Sequence, residues 1–239
     1  MTDSRFGAML VDMSATDLST LEVPDDAARC WSTLRPECYI FDHRVTVNVA
    51  WWRQTFAARG LPNPLVGESI SRGDLFALGA RAVEDPDAAL TLLWNAVAWG
   101  SGPSVRNVRT RLAAVCADPP HAARVLCDAA RRSRTDPAGA YGLLRPEDRR
   151  NAIRSLGPAF FTKFLYFAGA GTPEHPCCIL DARVAATLRG MGWRSLPRTS
   201  PWSASAYQRY NDLLGRWRLA AGIERADVIE RWLFERGGG

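Results

Sequence analysis

The 239-residue chain almost entirely avoids lysine: its thirty Lys and Arg residues are all arginine except Lys163. An exposed positive charge can be either residue, and here arginine is used nearly everywhere. Arginine keeps its proton near neutral pH, whereas a lysine amine can lose it and attack carbon. The retained lysine either does something arginine cannot or is a chance survivor on the surface, and composition leaves both open. Apolar runs of eighteen residues are also missing, which argues against a membrane span. No CxxC pair occurs among Cys30, Cys38, Cys116, Cys127, Cys177 and Cys178, and His43, His121 and His175 are scattered. A metal site is therefore not expected, and the thiols read as reduced and buried in a cytoplasmic protein. The opening MTDSRFGAML lacks a basic region followed by an apolar run, so no secretion signal is expected.

What is present is a globular composition, with 47% hydrophobic and 23% charged residues. The length suits one large domain or two small lobes. The net charge of +5 and a pI near 9.1 favour an anionic partner without identifying it.

The pattern along the chain is helical. Asp85 and Pro86 cap and open a helix over 85–99, stopped by Gly100-Ser101-Gly102-Pro103. Further helices are predicted over 104–117, from Pro119-Pro120 to Arg134, and over 145–155, 158–168, 181–190, 203–221 and 224–236. Tyr39 to Val49 reads as a short strand or a helix entrance, and Gly60 to Gly67 as a loop. The expected organisation is an N-terminal segment over 1–67 packing on the core, a helical domain over 68–236, and a disordered tail at 237–239. Asp227, Glu230 and Glu235 lie beside arginines and read as a solvated helix face.

One stretch carries chemistry. Lys163 lies among Phe160, Phe161, Phe164, Leu165, Tyr166 and Phe167, surroundings that strip hydration from an amine. A glycine- and proline-rich loop and the apolar run Cys177–Leu180 follow, and then Asp181 opens a helix. A lysine on a hairpin helix, an interval of eighteen residues, and an aspartate at the next helix start resemble the helix-hairpin-helix DNA glycosylases. The similarity is to a divergent bacterial branch of 8-oxoguanine-glycosylase-like proteins, some members of which resemble anti-phage enzymes. It rests on Leu156 to Lys163 and Ile179 to Val184, within a matching stretch of about forty residues over 153–190. Ala159 and Phe161 stand where that family usually carries two hairpin glycines, and Gly157-Pro158 builds the turn instead. No four-cysteine cluster follows Asp181, so no iron–sulfur cluster is expected.

The resemblance implies an all-α fold of two helical lobes around a DNA-binding cleft, no cofactor, and a monomer acting on double-stranded DNA. It implies that a flipped base is excised by attack of Lys163 at the sugar C1′, with Asp181 as the essential carboxylate. β-Lyase strand cleavage is left open. So is the base, either 8-oxoguanine or a bulky phage cytosine such as glucosylated hydroxymethylcytosine. Candidate DNA contacts are Gly157, Arg106, Arg109, Arg150, Arg154 and Arg183, with Arg111 and Arg149 beside them. Candidate base-stacking residues are Trp94, Trp99, Tyr207, Tyr210 and Trp217, with Trp232 and Phe234 as further aromatics. The rival readings are a non-catalytic helical DNA-binding module and a helical interaction protein with no nucleic-acid role.

Overall fold

A computed structural model describes Leu18, residues 21–148 and residues 150–238. Arg149 and Gly239 lie outside the described residues. Helix α1 (Asp25–Thr33) and a π-helical turn (Glu37–Phe41) lead to β1 (Arg44–Thr46), α2 (Val49–Ala57), β2 (Ser69–Ser71) and α3 (Arg72–Gly79). Then come α4 (Pro86–Ser101), α5 (Val108–Cys116), α6 (Pro119–Ser133) and α7 (Pro137–Leu144). A short 3-10 turn (Pro146–Asp148) precedes α8 (Pro158–Phe167), α9 (Ala182–Gly190), α10 (Ala204–Ala220) and α11 (Ala226–Arg236). The fold is all-α, with one two-stranded antiparallel ribbon that pairs Val45 with Ile70. No helix among the described residues is long and apolar enough to cross a membrane.

Asp-Pro starts three of these helices in the same way. Asp85, Asp118 and Asp136 each accept a backbone N–H of the first turn, and a proline takes the first helical position. Helix α8 is apolar on nearly every face, which buries it rather than laying it on the surface. It packs against α3, α4, α6 and α7. Its C-terminal end meets α3 so closely that a Cβ on Gly79 would lie 1.9 Å from the Phe167 carbonyl oxygen.

Seven predicted helices form within a few residues of their expected limits, and Tyr39 to Val49 holds both the strand β1 and the entrance to α2. The helix expected over 145–155 does not form. Glu147 and Asp148 sit at φ of 54° and 55°, and residues beyond the 3-10 turn are bends and turns. Tertiary and local side-chain bonds displace the helix there. The Asp148 carboxylate accepts Ala204 N–H at the start of α10, while Arg145 reaches the Asp148 carbonyl and Asn151.

The solvated-face reading of α11 is corrected in part. Asp227 and Glu230 are 5% and 1% exposed, and Glu230 pairs with Arg72 at 2.7 Å with both side chains buried. Tyr166 donates to Asp227, which Arg225 grips through both oxygens. Spacing already hints at this, because Asp227, Glu230 and Leu233 repeat every three residues on the core face. Cys30 and Cys38 are exposed rather than buried, whereas Cys127, Cys177 and Cys178 are buried.

The Gly79 contact is a backbone contact, so the neighbour cannot swing away. Gly79→Ala is expected to destabilise the protein by about 3 kcal/mol through forced separation of α3 and α8. Urea denaturation measures it, and an unchanged midpoint would contradict the packing described.

Candidate active site

Helix α8 and the segment leading into α9 are bonded in register. The Thr162 hydroxyl accepts Leu180 N–H at 3.3 Å and shares its hydrogen between the carbonyls of Pro158 and Leu180, at 2.8 and 3.1 Å. One residue further on, in both segments, Lys163 Nζ donates to Asp181 Oδ2 at 3.1 Å. The same amine donates to the Ala159 carbonyl at 3.0 Å. Each of these two adjacent cross-links thus spans the same eighteen-residue interval.

The run Cys177–Leu180 is buried and belongs to no sheet, so its backbone polar groups need other partners. Asn211 accepts Cys178 N–H, Tyr207 donates to the Cys178 carbonyl, and Tyr210 donates to that of Ile179. Helix α10 therefore holds the strut on which Asp181 is mounted. Asp181 caps α9, with Oδ1 accepting the N–H groups of Arg183 and Val184. Burial pushes its carboxyl up, but Lys163 and these N–H groups outweigh that and hold it below the usual carboxylate range. Lys163 and Asp181 side chains are only 8% and 13% exposed.

A cavity of about 220 Å³ opens beside the pair. Trp99, Phe234, Ile179 and Val45 form its apolar walls, and His43, Arg72 and Glu230 its polar end. Gly100 gives the lysine stem its path, since a Cβ there would stand 2.9 Å from Lys163 Cδ. A larger hollow of about 450 Å³ lies between the 173–176 loop and α10, away from both reactive groups. The chemistry of the amine–carboxylate pair singles out the smaller one.

Of the five aromatic candidates, only Trp99 lines this cavity. Trp94 packs in the core on Trp52 and Phe56, and Trp217 stacks on Trp31 and donates to the Leu21 carbonyl. Tyr207 and Tyr210 hold the Asp181 strut instead of facing a ligand. Trp232 is buried against Trp31, while Phe234, among the further aromatics, reaches the cavity. Arg183 is exposed at the rim, its guanidinium 4.1 Å from the Phe234 ring centroid. Arg106 and Arg109 are exposed at the start of α5, and Arg150 and Arg154 between the 3-10 turn and α8. Arg111 lies over Phe160 at 3.8 Å, so it approaches the lysine helix. Gly157 is the N-cap of α8, with open space where a Cβ would stand.

Sequence reasoning passed over His43, Arg72, Glu230 and Gly100. His43 reaches the site because the β1–β2 ribbon brings residue 43 beside residue 72. Arg72 N–H donates to the His43 carbonyl, and Arg72 Nε donates to His43 Nδ1 at 3.2 Å.

A family model described as "Putative 8-oxoguanine DNA glycosylase OGG-like protein" matches residues 39–234. Ribonuclease VapC5 of Mycobacterium tuberculosis is 38% identical over 85 residues, 35% of this chain and 58% of that protein. The chain thus spans little more than half the length of that relative. No solved structure matches.

Burial, then the charges of Arg72 and Arg231, push the His43 imidazole down to about 3, and burial above all pushes His175 down to about 4. Both are neutral in the folded protein, whereas an unfolded histidine takes up a proton near pH 6.5. The unfolded chain then binds more protons, so the stability contributed is full above about pH 6.5 and is lost as pH falls toward about 4 for His175 and about 3 for His43. Urea midpoints are expected to fall across that window, and less steeply in His43→Gln. A flat profile would count against neutral, buried imidazoles.

Proposed function

This chain belongs to the OGG-like family of DNA glycosylases, and we propose that it excises a modified base from duplex DNA with Lys163 as nucleophile and Asp181 as its charge partner. The observation that carries the reading is the Lys163–Asp181 pair, 3.1 Å apart, on the wall of a cavity of about 220 Å³. A base inside a duplex is out of reach of both groups, so the nucleotide must leave the stack and enter that cavity. Trp99 and Phe234 offer it aromatic surface.

Cleavage of the glycosidic bond builds positive charge on the sugar, and an ionised carboxylate held close by stabilises it. Asp181 is suited to this role because its N–H partners and Lys163 keep it ionised. The Lys163 amine, after giving up a proton, forms a bond to C1′ as the bond from C1′ to the base breaks and its electron pair leaves with the base. The sugar ring then opens, the C1′–O4′ bond breaking as the nitrogen lone pair forms the imine and O4′ takes up a proton, and loss of a C2′ proton from that imine allows β-elimination of the 3′ phosphate. Arg106, Arg109, Arg111, Arg150, Arg154 and Arg183 act as phosphate contacts in this reading, so binding should weaken steeply with salt.

The cavity size supports a compact base. About 220 Å³ is below the roughly 300–1,000 Å³ of pockets for drug-sized ligands, which suits one flat ring system better than a base bearing a hexose. An oxidised purine such as 8-oxoguanine is the substrate we favour.

Borohydride trapping tests the mechanism on duplexes carrying 8-oxoguanine or glucosylated hydroxymethylcytosine. The expected result is a covalent adduct with 8-oxoguanine DNA that Lys163→Gln abolishes. Asp181→Asn is expected to slow base release by about 10²-fold or more. Adduct formation only with the glucosylated cytosine would replace the substrate. DNA binding without product from any duplex, unaltered in Lys163→Ala, would make the protein a non-catalytic binding module.

A further inference from the structure

His43 stands at the polar end of the cavity with one ring nitrogen committed. Arginine nitrogens can only donate, so the bond from Arg72 Nε makes His43 Nδ1 an acceptor. In a neutral imidazole the hydrogen is then on Nε2. Neutrality follows from burial and from the flanking Arg72 and Arg231 charges, which push this histidine down to about 3. The ring also meets Trp99 edge-on, with centroids 5.3 Å apart.

Arg72 cannot turn away to release it. Its Nη1 donates to Glu230 at 2.7 Å and to the Tyr166 hydroxyl at 3.0 Å, and its side chain is 1% exposed. The other polar groups of the cavity are matched to one another: Lys163 with Asp181, and Arg72 with Glu230. Among the described residues, His43 Nε2 has no hydrogen-bond partner. A donor fixed in place on a cavity wall is left unpaired when a ligand fills the cavity without supplying an acceptor, and such a site rejects ligands that lack one.

We propose that His43 is the base-reading residue of this cavity, its fixed Nε2–H donating to a carbonyl oxygen on the edge of the flipped base. Arg72 is the positioning residue that sets the tautomer and direction of that donor. The inference rests on the glycosylase reading above and adds to it what selects the base. The C8 carbonyl of 8-oxoguanine is an acceptor of the required kind, and guanine has only a C–H there.

The test compares two duplexes under single-turnover conditions, one with 8-oxoguanine opposite cytosine and one with a preformed abasic site, which has no base to read. His43→Phe keeps a ring against Trp99 and loses the donor. His43→Gln retains a side-chain N–H. His43→Phe is expected to slow 8-oxoguanine release about tenfold or more, and to slow cleavage and trapping at the abasic site by a much smaller factor. His43→Gln is expected to recover part of the loss. Unchanged release in His43→Phe, equal losses on both duplexes, or a glutamine variant no better than phenylalanine would each overturn the inference. Wild-type protein that cleaves and traps the abasic duplex but ignores 8-oxoguanine would overturn it together with the oxidised-purine reading, and Lys163 would stand as nucleophile. Wild-type protein inert toward both duplexes would overturn it together with the role of Lys163 as lyase nucleophile, and inertness toward the glucosylated-cytosine duplex as well would overturn the glycosylase reading itself.

Discussion

Thr162 and Leu180 exchange hydrogen bonds, and the next residue in each segment, Lys163 and Asp181, forms the ion pair. The rest of the site depends on that register. A one-residue slip would put Phe164 or Thr162 where the amine belongs. The register is secured from two sides. Helix α8 is buried by four neighbouring helices, and the extended run before Asp181 is bonded by side chains of α10. The backbone of that run would otherwise carry unsatisfied polar groups in the core. Tyr207, Tyr210 and Asn211 are structural for that reason, and their effect on the reactive carboxylate is indirect.

The opposite end of the cavity is organised by buried charge. Arg72, Glu230, Tyr166, Asp227 and Arg225 form a connected set, with Arg72 and Glu230 1% exposed. Taking charges out of water costs several kcal/mol per ion, and a single close pair rarely repays more than that. The set therefore contributes little net stability, but it fixes direction. Removing one partner would strand the other and typically costs about 3–5 kcal/mol. Such a network holds its members rigidly, and here it holds a neutral histidine against a cavity wall.

Reactive groups and polar floor come from distant parts of the chain. Lys163 and Asp181 lie in one continuous stretch, while His43 precedes β1, Arg72 opens α3 and Glu230 lies on α11. This division explains what could be read in advance. Helix starts such as Asp85-Pro86 and Asp118-Pro119 are local chemistry, and they appear where expected. The helix missed at Pro137 and the false one over 145–155 mark the limit of local reasoning. Pro146 looks like a helix opener, but Asp148 is taken up by the start of α10, a partner more than fifty residues away.

Local pattern determined the helical class, the apolar lysine helix, and the pairing of Lys163 with Asp181, because each depends on neighbours in the chain or on one short interval. Composition marked the lysine, since it is the one Lys among thirty Lys and Arg residues. Only the tertiary structure decided which aromatics meet the cavity. Trp94, Trp99, Tyr207, Tyr210 and Trp217 are equivalent by residue type, and packing turned only Trp99 toward the lysine. It also decided that His43 is tethered by Arg72 and that Glu230 is buried against the same guanidinium. A side chain's protonation and direction follow from the charges and hydrogen-bond partners packed around it, and for these two the decisive neighbour, Arg72, is remote in sequence.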